Sequence, residues 1–281
     1  MNYNYRYRIE PDKAVEAALE QHIDTCRQLY NHYLYELRNT DEYLSYSAMQ
    51  NMLPDLKDWW DELNNVYSKV LQMVARRVSD NLDRLKEKKD NGRKVGMLKW
   101  KSPREYRSLT YNQSGFELKN TSGQTILSLS KIGEIPIHLH RDIHDDACVK
   151  QVTIKQEKTG DWYAIFGIET EDDAPAKPAL DEIEREDMVG IDVGILKYAH
   201  DTDSTMVGSL DLEDEYERLE REQRALSRKQ EGSQNWHKQR RRVARIHARI
   251  VRKRRDFLHK LSNITLGCTT SWPSKTSMFT G

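Results

Sequence analysis

The chain of 281 residues is long enough for two domains and a sizeable hydrophobic core. Its composition is 37% hydrophobic and 32% charged, and no apolar run approaches the roughly 20 residues that span a bilayer, which excludes a transmembrane helix and a membrane partner. The net charge of zero by itself argues against a polynucleotide partner. Because the N-terminal segment is aromatic and charged where a secretory signal is apolar, we expect a cytoplasmic protein.

The three cysteines, Cys26, Cys148 and Cys268, are far apart in the sequence and form no CxxC pair. This spacing argues against both a disulfide framework and a zinc site. We expect Cys26 and Cys148 to be small buried hydrophobic residues.

The N-terminal third predicts one strand followed by two long helices. Residues 3–9 alternate and are rich in tyrosine, which is typical of a strand. A helix opens at Pro11 and ends at Asn39, since its apolar residues recur every three or four positions. A short piece over 47–53 ends before Pro54, and a second long helix starts at about Lys57 and continues to Leu85. These helices form either a plain packing subdomain or a lobe that binds a ligand.

The segment 98–111, LKWKSPREYRSLTY, alternates cations with aromatic rings. Its candidate nucleic-acid-binding residues are Lys99, Trp100, Lys101, Arg104, Tyr106 and Arg107. Cations for phosphates beside rings for bases are typical of proteins that bind single-stranded or structured RNA. The alternative is a basic loop whose aromatic residues, including Tyr111, cap the next core.

From residue 108 to residue 169 the apolar period changes to two. Five segments predict short strands, namely 115–119, 125–130, 134–140, 147–156 and 161–169. Several short, evenly spaced strands favour a small antiparallel barrel. Residues 171–187 are acidic and contain two prolines, which is typical of a linker.

The last third predicts strands followed by charged helices. Strands are expected over 188–193, 196–200 and 205–210, with a turn at 201–204. The helical segment splits at Gly232 and Ser233. Its second helix has an apolar stripe formed by Trp236, Val243, Ile246, Ile250, Phe257 and Leu261.

Charge is distributed unevenly between the two parts of this region. Residues 169–223 include 19 acidic and 5 basic residues, whereas residues 224–260 include 14 basic and 2 acidic residues, a net charge of +12. A phosphate backbone responds to local charge, because salt screens interactions beyond about 8 Å. The second segment therefore predicts a nucleic-acid partner in spite of the neutral total.

Asp192 is a carboxylate in the middle of the apolar run VGIDVG. Burying an unpaired carboxylate is unfavourable by several kcal/mol, so a buried one needs a function. Nucleases that use two Mg²⁺ ions need carboxylates that converge on both metals, and RNase-H-like folds place the first one inside their opening strand. Asp192 is thus a candidate catalytic residue and metal ligand, and the alternative is an aspartate in a turn.

A family resemblance rests on two segments. Residues 226–263 have the sequence LSRKQEGSQNWHKQRRRVARIHARIVRKRRDFLHKLSN, and residues 190–199 upstream have GIDVGILKYA. The order and spacing of LSRK, GS, HxRI and RxDFLHKLS are similar to those of the TnpB/OrfB proteins of IS200-type insertion sequences, which are relatives of type V CRISPR nucleases. The chain resembles this family over nearly all of residues 1–263.

The resemblance implies an RNA-guided DNA endonuclease, with a guide RNA and DNA as partners, in which base pairing identifies the target. It implies an α+β fold with a helical recognition lobe, a small antiparallel β-barrel called the wedge, and an incomplete RNase-H-like (RuvC) domain with long basic helices. The expected domains are a first barrel strand at 1–10, the lobe at 11–97, the wedge at 98–170, the linker at 171–187, the RuvC-like part at 188–263 and an aberrant tail at 264–281. It specifies no oligomeric state.

Within this scheme the basic helices are candidates for phosphate contact. The residues concerned are Arg228, Lys229, Lys238, Arg240, Arg241, Arg242, Arg245, Arg249 and Arg252. The alternative is a solvated helix face.

Beyond residue 263 the family pattern has a Glu-Asp strand, a zinc ribbon and a final Asp, and residues 264–281 contain none of them. We therefore expect a truncated chain without a zinc ribbon, with an incomplete Mg²⁺ site and no nuclease activity on its own, since one carboxylate does not organise two ions. Neither Asp201 nor Asp203 is a convincing replacement. A neighbouring reading frame of the tail can spell DFVAVEDLD, which motivates a frameshift hypothesis that the nucleotide sequence decides.

Three functions are compatible with these residues. The first is a TnpB-type transposase or endonuclease homologue that binds nucleic acid without cutting it. The second is a non-enzymatic RNA- or DNA-binding regulator. The third, a protein-interaction module on helices 212–262, is disfavoured because the apolar stripe is short and the opposite face is very basic.

Overall fold

A computed structural model of the chain describes residues 1–40, 44–121, 123–143, 147–171, 179, 190–194, 197–201 and 206–265. The chain divides into two compact units, Met1–Ala174 and Pro175–Gly281. Helices are combined with a curled antiparallel sheet, which confirms the predicted mixture of helical and antiparallel β-structure. The predicted linker at 171–187 lies outside the described residues except for residues 171 and 179.

The first unit contains a seven-stranded antiparallel sheet in the order β2-β6-β7-β1-β5-β4-β3. Its strands are β1 (Asn2–Ile9), β2 (Ser108–Asn112), β3 (Phe116–Thr121), β4 (Gln124–Leu129), β5 (Gly133–His138), β6 (Cys148–Gln156) and β7 (Trp162–Glu169). The predicted first strand and the five predicted strands are confirmed, whereas β2 is an additional strand that pairs with β6. The N-terminal strand lies in the centre of the sheet, since it pairs with β7 along its whole length and with β5 at its end.

One long helix, α1 (Lys13–Asn39), follows β1 as the apolar spacing predicts. Asp12 caps its N-terminus, because the Asp12 carboxylate accepts a hydrogen bond of 2.8 Å from the backbone N–H of Val15. The apolar face of α1 is buried, and it packs against α5 (Ser68–Asp90).

The region between these two helices differs from the prediction. Residues 46–65 form three short helices, α2 (Tyr46–Asn51), α3 (Leu53–Trp59) and α4 (Glu62–Asn65), so the predicted single helix over 57–85 is wrong. Pro54 lies in the first turn of α3 and does not end the preceding piece. Proline is tolerated there because the first helical N–H groups have no partner within the helix.

The helices and the sheet of the first unit share one hydrophobic core. Cys26 is buried in it, as predicted, but Cys148 is exposed at the start of β6, so its predicted burial is wrong. Strict alternation would put Cys148 on the same face as the buried Val152 and Ile154, but β6 has a register shift between Val149 and Gln151, and this shift reverses the faces for the start of the strand.

The second unit contains a small antiparallel sheet and two helices. Its strands, in the order β10-β9-β8, are β8 (Ile191–Asp192), β9 (Lys197–Asp201) and β10 (Met206–Gly208). The helices are α6 (Glu213–Ser227) and α7 (Gln234–Thr265). The predicted split is confirmed at Gly232, whose φ of 83° lies in the left-handed region that favours glycine. The predicted turn residues 202–204 lie outside the described part of the chain.

Two small apolar clusters hold the second unit together. The α6–α7 pair buries Leu212, Leu219, Val243, Ile246 and Ile250. Farther along α7, Phe257 packs against Ala199 and Val207 of the sheet, and its ring lies 4.8 Å from that of Tyr198. The predicted apolar stripe of α7 is thus confirmed, although Trp236 and Leu261 are only half-buried.

Among the described helices, none combines the length and the apolar character that crossing a bilayer requires.

Candidate nucleic-acid interface

The loop at 98–101 lies along α1 and is held there by side chains of that helix. Asn31 forms two hydrogen bonds with the backbone of Lys101, accepting from its N–H at 2.8 Å and donating to its carbonyl at 3.0 Å. Arg38 donates to the Leu98 carbonyl at 2.7 Å. Because these bonds use the backbone of the loop, its side chains remain available for other contacts.

Trp100 is the exposed ring of this loop. Its side chain is 44% exposed, and the Arg38 guanidinium lies over the indole at 4.7 Å from its centroid. Lys99 is exposed and Lys101 is half-buried. A ring with a cation on one face can still stack on a base with the other face, so the geometry is compatible with the predicted roles of Lys99 and Trp100.

Tyr106 and Tyr111 belong to the hydrophobic core. Tyr106 is 4% exposed, with Tyr30 at 5.8 Å between ring centroids and the Arg77 guanidinium over its ring. Tyr111 stacks on Tyr67 and is also buried. Burial raises the pKa of both phenols. The predicted contact of Tyr106 with nucleic acid therefore has weak geometric support, because its ring offers a base little surface, and the burial of both rings favours the alternative of aromatic residues that cap the core.

Arg104 and Arg107 lie on the turn that leads into β2. Arg104 is exposed. The half-buried Arg107 donates to the Arg104 carbonyl at 2.7 Å and to the Glu157 carbonyl at 3.4 Å. Burial lowers the pKa of the Arg107 guanidinium from its ordinary value. Since these carbonyls occupy Arg107, its predicted contact with nucleic acid has weaker geometric support than that of Arg104.

The second unit presents its basic helix through a braced hairpin of α6 and α7. Glu215 of α6 has a side chain that is 10% exposed, and its carboxylate lies 2.5 Å from Lys253 Nζ and 3.5 Å from Arg249 Nε. The hydrogen bond from Lys253 lowers the pKa of Glu215. Near the other end of the hairpin, Gln239 donates to the carboxylate of Glu222 at 2.6 Å.

Most of the predicted phosphate-contacting residues of this hairpin are exposed. The exposed set is Arg228, Lys238, Arg241, Arg242, Arg245, Arg249 and Arg252. Arg240 and Lys229 are half-buried, and the Arg240 guanidinium lies 5.1 Å from the centroid of the Trp236 ring. The side chains of Arg241, Arg242 and Arg245 form no hydrogen bond or ion pair with any residue that the structure describes.

Arg218 of α6 is a further exposed arginine of this hairpin, outside the set predicted from the sequence. It lies in an acidic helix, yet it faces α7 and lines a groove with Arg242, Arg245 and Arg249. Arg218 lies three residues after Glu215, which is on the side of α6 that packs on α7, and this spacing is the signal that would have found it, since residues three and four apart share a helix face.

Asp192 lies on β8, opposite His200 of β9. The side chain of Asp192 is exposed, and the flanking Ile191 and Val193 are 44% and 66% exposed. The expectation of a carboxylate inside a buried apolar strand is therefore wrong, because β8 has two residues and pairs with β9 alone among the described strands. The described residues contain no group of three or more His, Cys, Asp or Glu side chains that could hold a metal ion, so they do not fit a two-Mg²⁺ site.

Comparison with known families gives two matches, both to models of the OrfB family of IS605-type elements. One model, described as a probable transposase, matches residues 166–266. The other, described as a helix-turn-helix domain, matches residues 1–42. Within the second match the described residues form the strand β1 and the single helix α1.

Two curated relatives have names that agree with this family. The chain is 27% identical over 265 residues to "Putative RNA-guided DNA endonuclease InsQ" of Escherichia coli K12 and 31% identical over 269 residues to "Putative RNA-guided DNA endonuclease" of Streptomyces pristinaespiralis. Each alignment covers 92% of this chain, which spans 62% of the length of each relative.

Among solved structures, the chain is similar to a cryo-EM structure of a CRISPR-Cas12f ternary complex at 14% identity. That alignment has a TM-score of 0.36 and covers 85% of this chain and 57% of the other. The two family models and the two curated relatives confirm the resemblance in the sequence. The chain belongs to the TnpB/OrfB family of proteins encoded by insertion sequences.

Proposed function

We propose that this homologue of RNA-guided DNA endonucleases acts in the cytoplasm by binding a guide RNA and its DNA target. The observation that carries the proposal is the row of exposed arginines on α7, three of which have no side-chain partner among the described residues. Unneutralised guanidinium groups on a rigid helix are suited to phosphate, because each offers several N–H donors in a fixed plane. The names of the curated relatives support the same partners.

The two units suggest different roles in this function. We infer that the curled sheet of the first unit corresponds to the wedge barrel and its helices to the recognition lobe. We infer that β8–β10 with α6 and α7 form the RuvC-like part. The exposed Trp100 beside Lys99 would then offer a stacking surface for a base, separate from the phosphate contacts on α7.

We expect the chain on its own to bind nucleic acid without cutting it. Two Mg²⁺ ions activate water and stabilise the leaving oxygen only when several carboxylates hold them, and Asp192 is the one carboxylate that the resemblance assigns. The test is incubation of the purified chain with Mg²⁺, guide RNA and target DNA. Cleavage that disappears in Asp192→Ala would contradict this expectation.

Binding is tested by measuring affinity for a labelled RNA over a range of salt concentrations. Replacing Arg241, Arg242 and Arg245 together by glutamine should reduce the slope of log affinity against log salt by about 0.7 to 0.9 for every phosphate that the variant no longer neutralises. The same three residues replaced by lysine form the matched control, because the charge is kept. Wild-type protein whose affinity does not depend on salt would contradict the proposal.

A further inference from the structure

A groove of about 380 Å³ runs between α6 and α7, within the second unit. Its walls are Arg218 and Glu222 from α6, and Arg242, Arg245, Ile246 and Arg249 from α7. Four guanidinium groups and one carboxylate therefore surround one cavity, whose size is at the lower end of the roughly 300 to 1,000 Å³ of small-ligand sites.

The carboxylates near the groove leave most of this positive charge unneutralised. Arg249 lies 3.5 Å from Glu215, so its charge is partly compensated. Glu222 accepts a hydrogen bond from Gln239. The guanidinium groups of Arg218, Arg242 and Arg245 form no ion pair within the described part of the chain. Like charges at three- and four-residue spacing destabilise a helix by a few tenths of a kcal/mol per pair, so this arrangement is unfavourable unless an anion joins it.

The helix geometry lets these groups act on one ligand. Arg242 and Arg245 are separated by about 4.5 Å along the axis of α7, given a rise of 1.5 Å per residue. Arg218 approaches the same cavity from the other helix. The buried Ile246 contributes an apolar wall, which reduces local hydration and strengthens charge–charge attraction.

We infer that this groove binds a phosphodiester group of a nucleic-acid strand, clamped between Arg218 of α6 and the arginines Arg242 and Arg245 of α7. The inference rests on the proposed function and makes it more specific, since it assigns one phosphate to one place. The other exposed side chains of α6 include Asp214, Glu217 and Glu220, which repel a phosphate backbone. The strand is thereby confined to the α7 side of the hairpin.

The test compares Arg218→Gln with Arg221→Gln. Both variants remove one exposed arginine from the same helix, but Arg221 does not line the groove. The probes are a labelled single-stranded RNA, the DNA of the same sequence and their heteroduplex. We expect Arg218→Gln to weaken binding about tenfold, as for removal of a charge-assisted hydrogen bond, and to reduce the salt slope by about 1. Arg221→Gln should change the affinity less than about twofold.

The three probes identify which backbone occupies the groove. If Arg218→Gln weakens binding to the RNA and to the heteroduplex but not to the DNA, the RNA strand occupies the groove. If it weakens binding to the DNA and to the heteroduplex but not to the RNA, the DNA strand occupies the groove. Arg218→Lys keeps the positive charge at this position and should therefore recover part of the affinity that Arg218→Gln loses. Thermal unfolding of all three variants should match that of the wild type, since the residue is exposed.

Two failures have different meanings. If wild-type protein binds none of the probes, the proposed function itself is wrong. If wild-type protein binds and the Gln variants at 218 and 221 have equal affinities, the groove is not the phosphate site, while the basic face of α7 remains the interface.

Discussion

Trp100 and Tyr106, in one short segment, have opposite environments. Trp100 is exposed beside the Arg38 guanidinium, whereas Tyr106 lies in the core against Tyr30 and Arg77. An aromatic ring contributes to RNA binding only where a base can reach its face. At the scale of single residues, burial therefore separates the ring that can bind from the ring that stabilises the fold.

The variants Trp100→Ala and Tyr106→Ala should have opposite effects. Tyr106→Ala leaves a cavity in the core and should lower the free energy of unfolding by about 3 kcal/mol. Trp100→Ala should change it by less than about 1 kcal/mol, while weakening single-stranded RNA binding by about fivefold or more, because a base can no longer stack on the indole. Urea denaturation and RNA titration of both variants check this. An unstable Trp100→Ala protein would contradict the assigned environments.

The thiols of Cys26 and Cys148 should react with an alkylating reagent at very different rates. Burial raises the pKa of the Cys26 thiol to about 12, so almost no reactive thiolate forms near neutral pH. Cys148 is exposed at the start of β6. Peptide mapping by mass spectrometry after brief iodoacetamide treatment should find Cys148 modified and Cys26 intact. Modification of Cys26 before unfolding would show that its surroundings are more open than described.

At the scale of elements, the α6–α7 hairpin combines apolar packing with two ion pairs that share Glu215. Glu215 holds Lys253 and Arg249 of α7 beside the buried Leu219, Ile246 and Ile250. The acidic residue thus lies on the inner face of α6, where it meets an unusually basic partner helix. Both ion pairs join α6 to α7 close to the groove that Arg218, Ile246 and Arg249 line.

Glu215→Gln should loosen this hairpin in a pH-dependent way. The pKa of Glu215 is lowered in the folded chain, so its contribution is present above the unfolded value of about 4.3 and is lost as the pH falls through the folded value. At neutral pH we expect the variant to have a free energy of unfolding lower by about 1 kcal/mol. In acid the free energies of the variant and the wild type should become equal. Hydrogen exchange of α6 amides measures this.

Glu217→Gln is the matched control for that substitution. Glu217 is exposed on the same helix and forms no ion pair with a described residue. Its variant should keep the exchange rates and the acid sensitivity of the wild type. Equal effects of the two variants would mean that net charge, and not the pairing of Glu215, controls the hairpin.

The sequence predicts elements well where the apolar period and the breaking residues agree. Helix α1 and the split at Gly232 follow from such agreement. The division into α3, α4 and α5 is not predicted in this way. The apolar spacing continues through Trp60 and Tyr67, and no glycine or proline next to either residue indicates that its backbone is non-helical. For the site, the charge of α7 is evident from the sequence and the helix face of Arg218 follows from its spacing, but the burial of Tyr106 depends on tertiary packing.

At the scale of the whole molecule, the two units have cores of very different size. The first unit has one large cluster of buried residues that joins its helices to its sheet. The second unit has two small clusters, one between α6 and α7 and one between α7 and the three-stranded sheet. Since buried apolar area is the main source of stability, the two units should differ in resistance to local opening.

Hydrogen exchange should distinguish the units directly. Amides in α1, β1 and β7 should be the most protected, and amides in β9 and β10 should exchange faster by about tenfold or more, because few buried contacts hold those short strands. Mass spectrometry of peptides after timed exchange measures this. Stronger protection in β9 than in β7 would show that the size of the hydrophobic core does not determine which unit opens more easily.

Strand β8 lies at an edge of the three-stranded sheet. Within the described strands it pairs with β9 alone, which leaves one row of backbone N–H and C=O groups beside the exposed Ile191 and Val193. Such an edge is a template for another polypeptide. Any strand that adds to it, from elsewhere in a longer product or from a separate protein, would bring its own side chains next to Asp192.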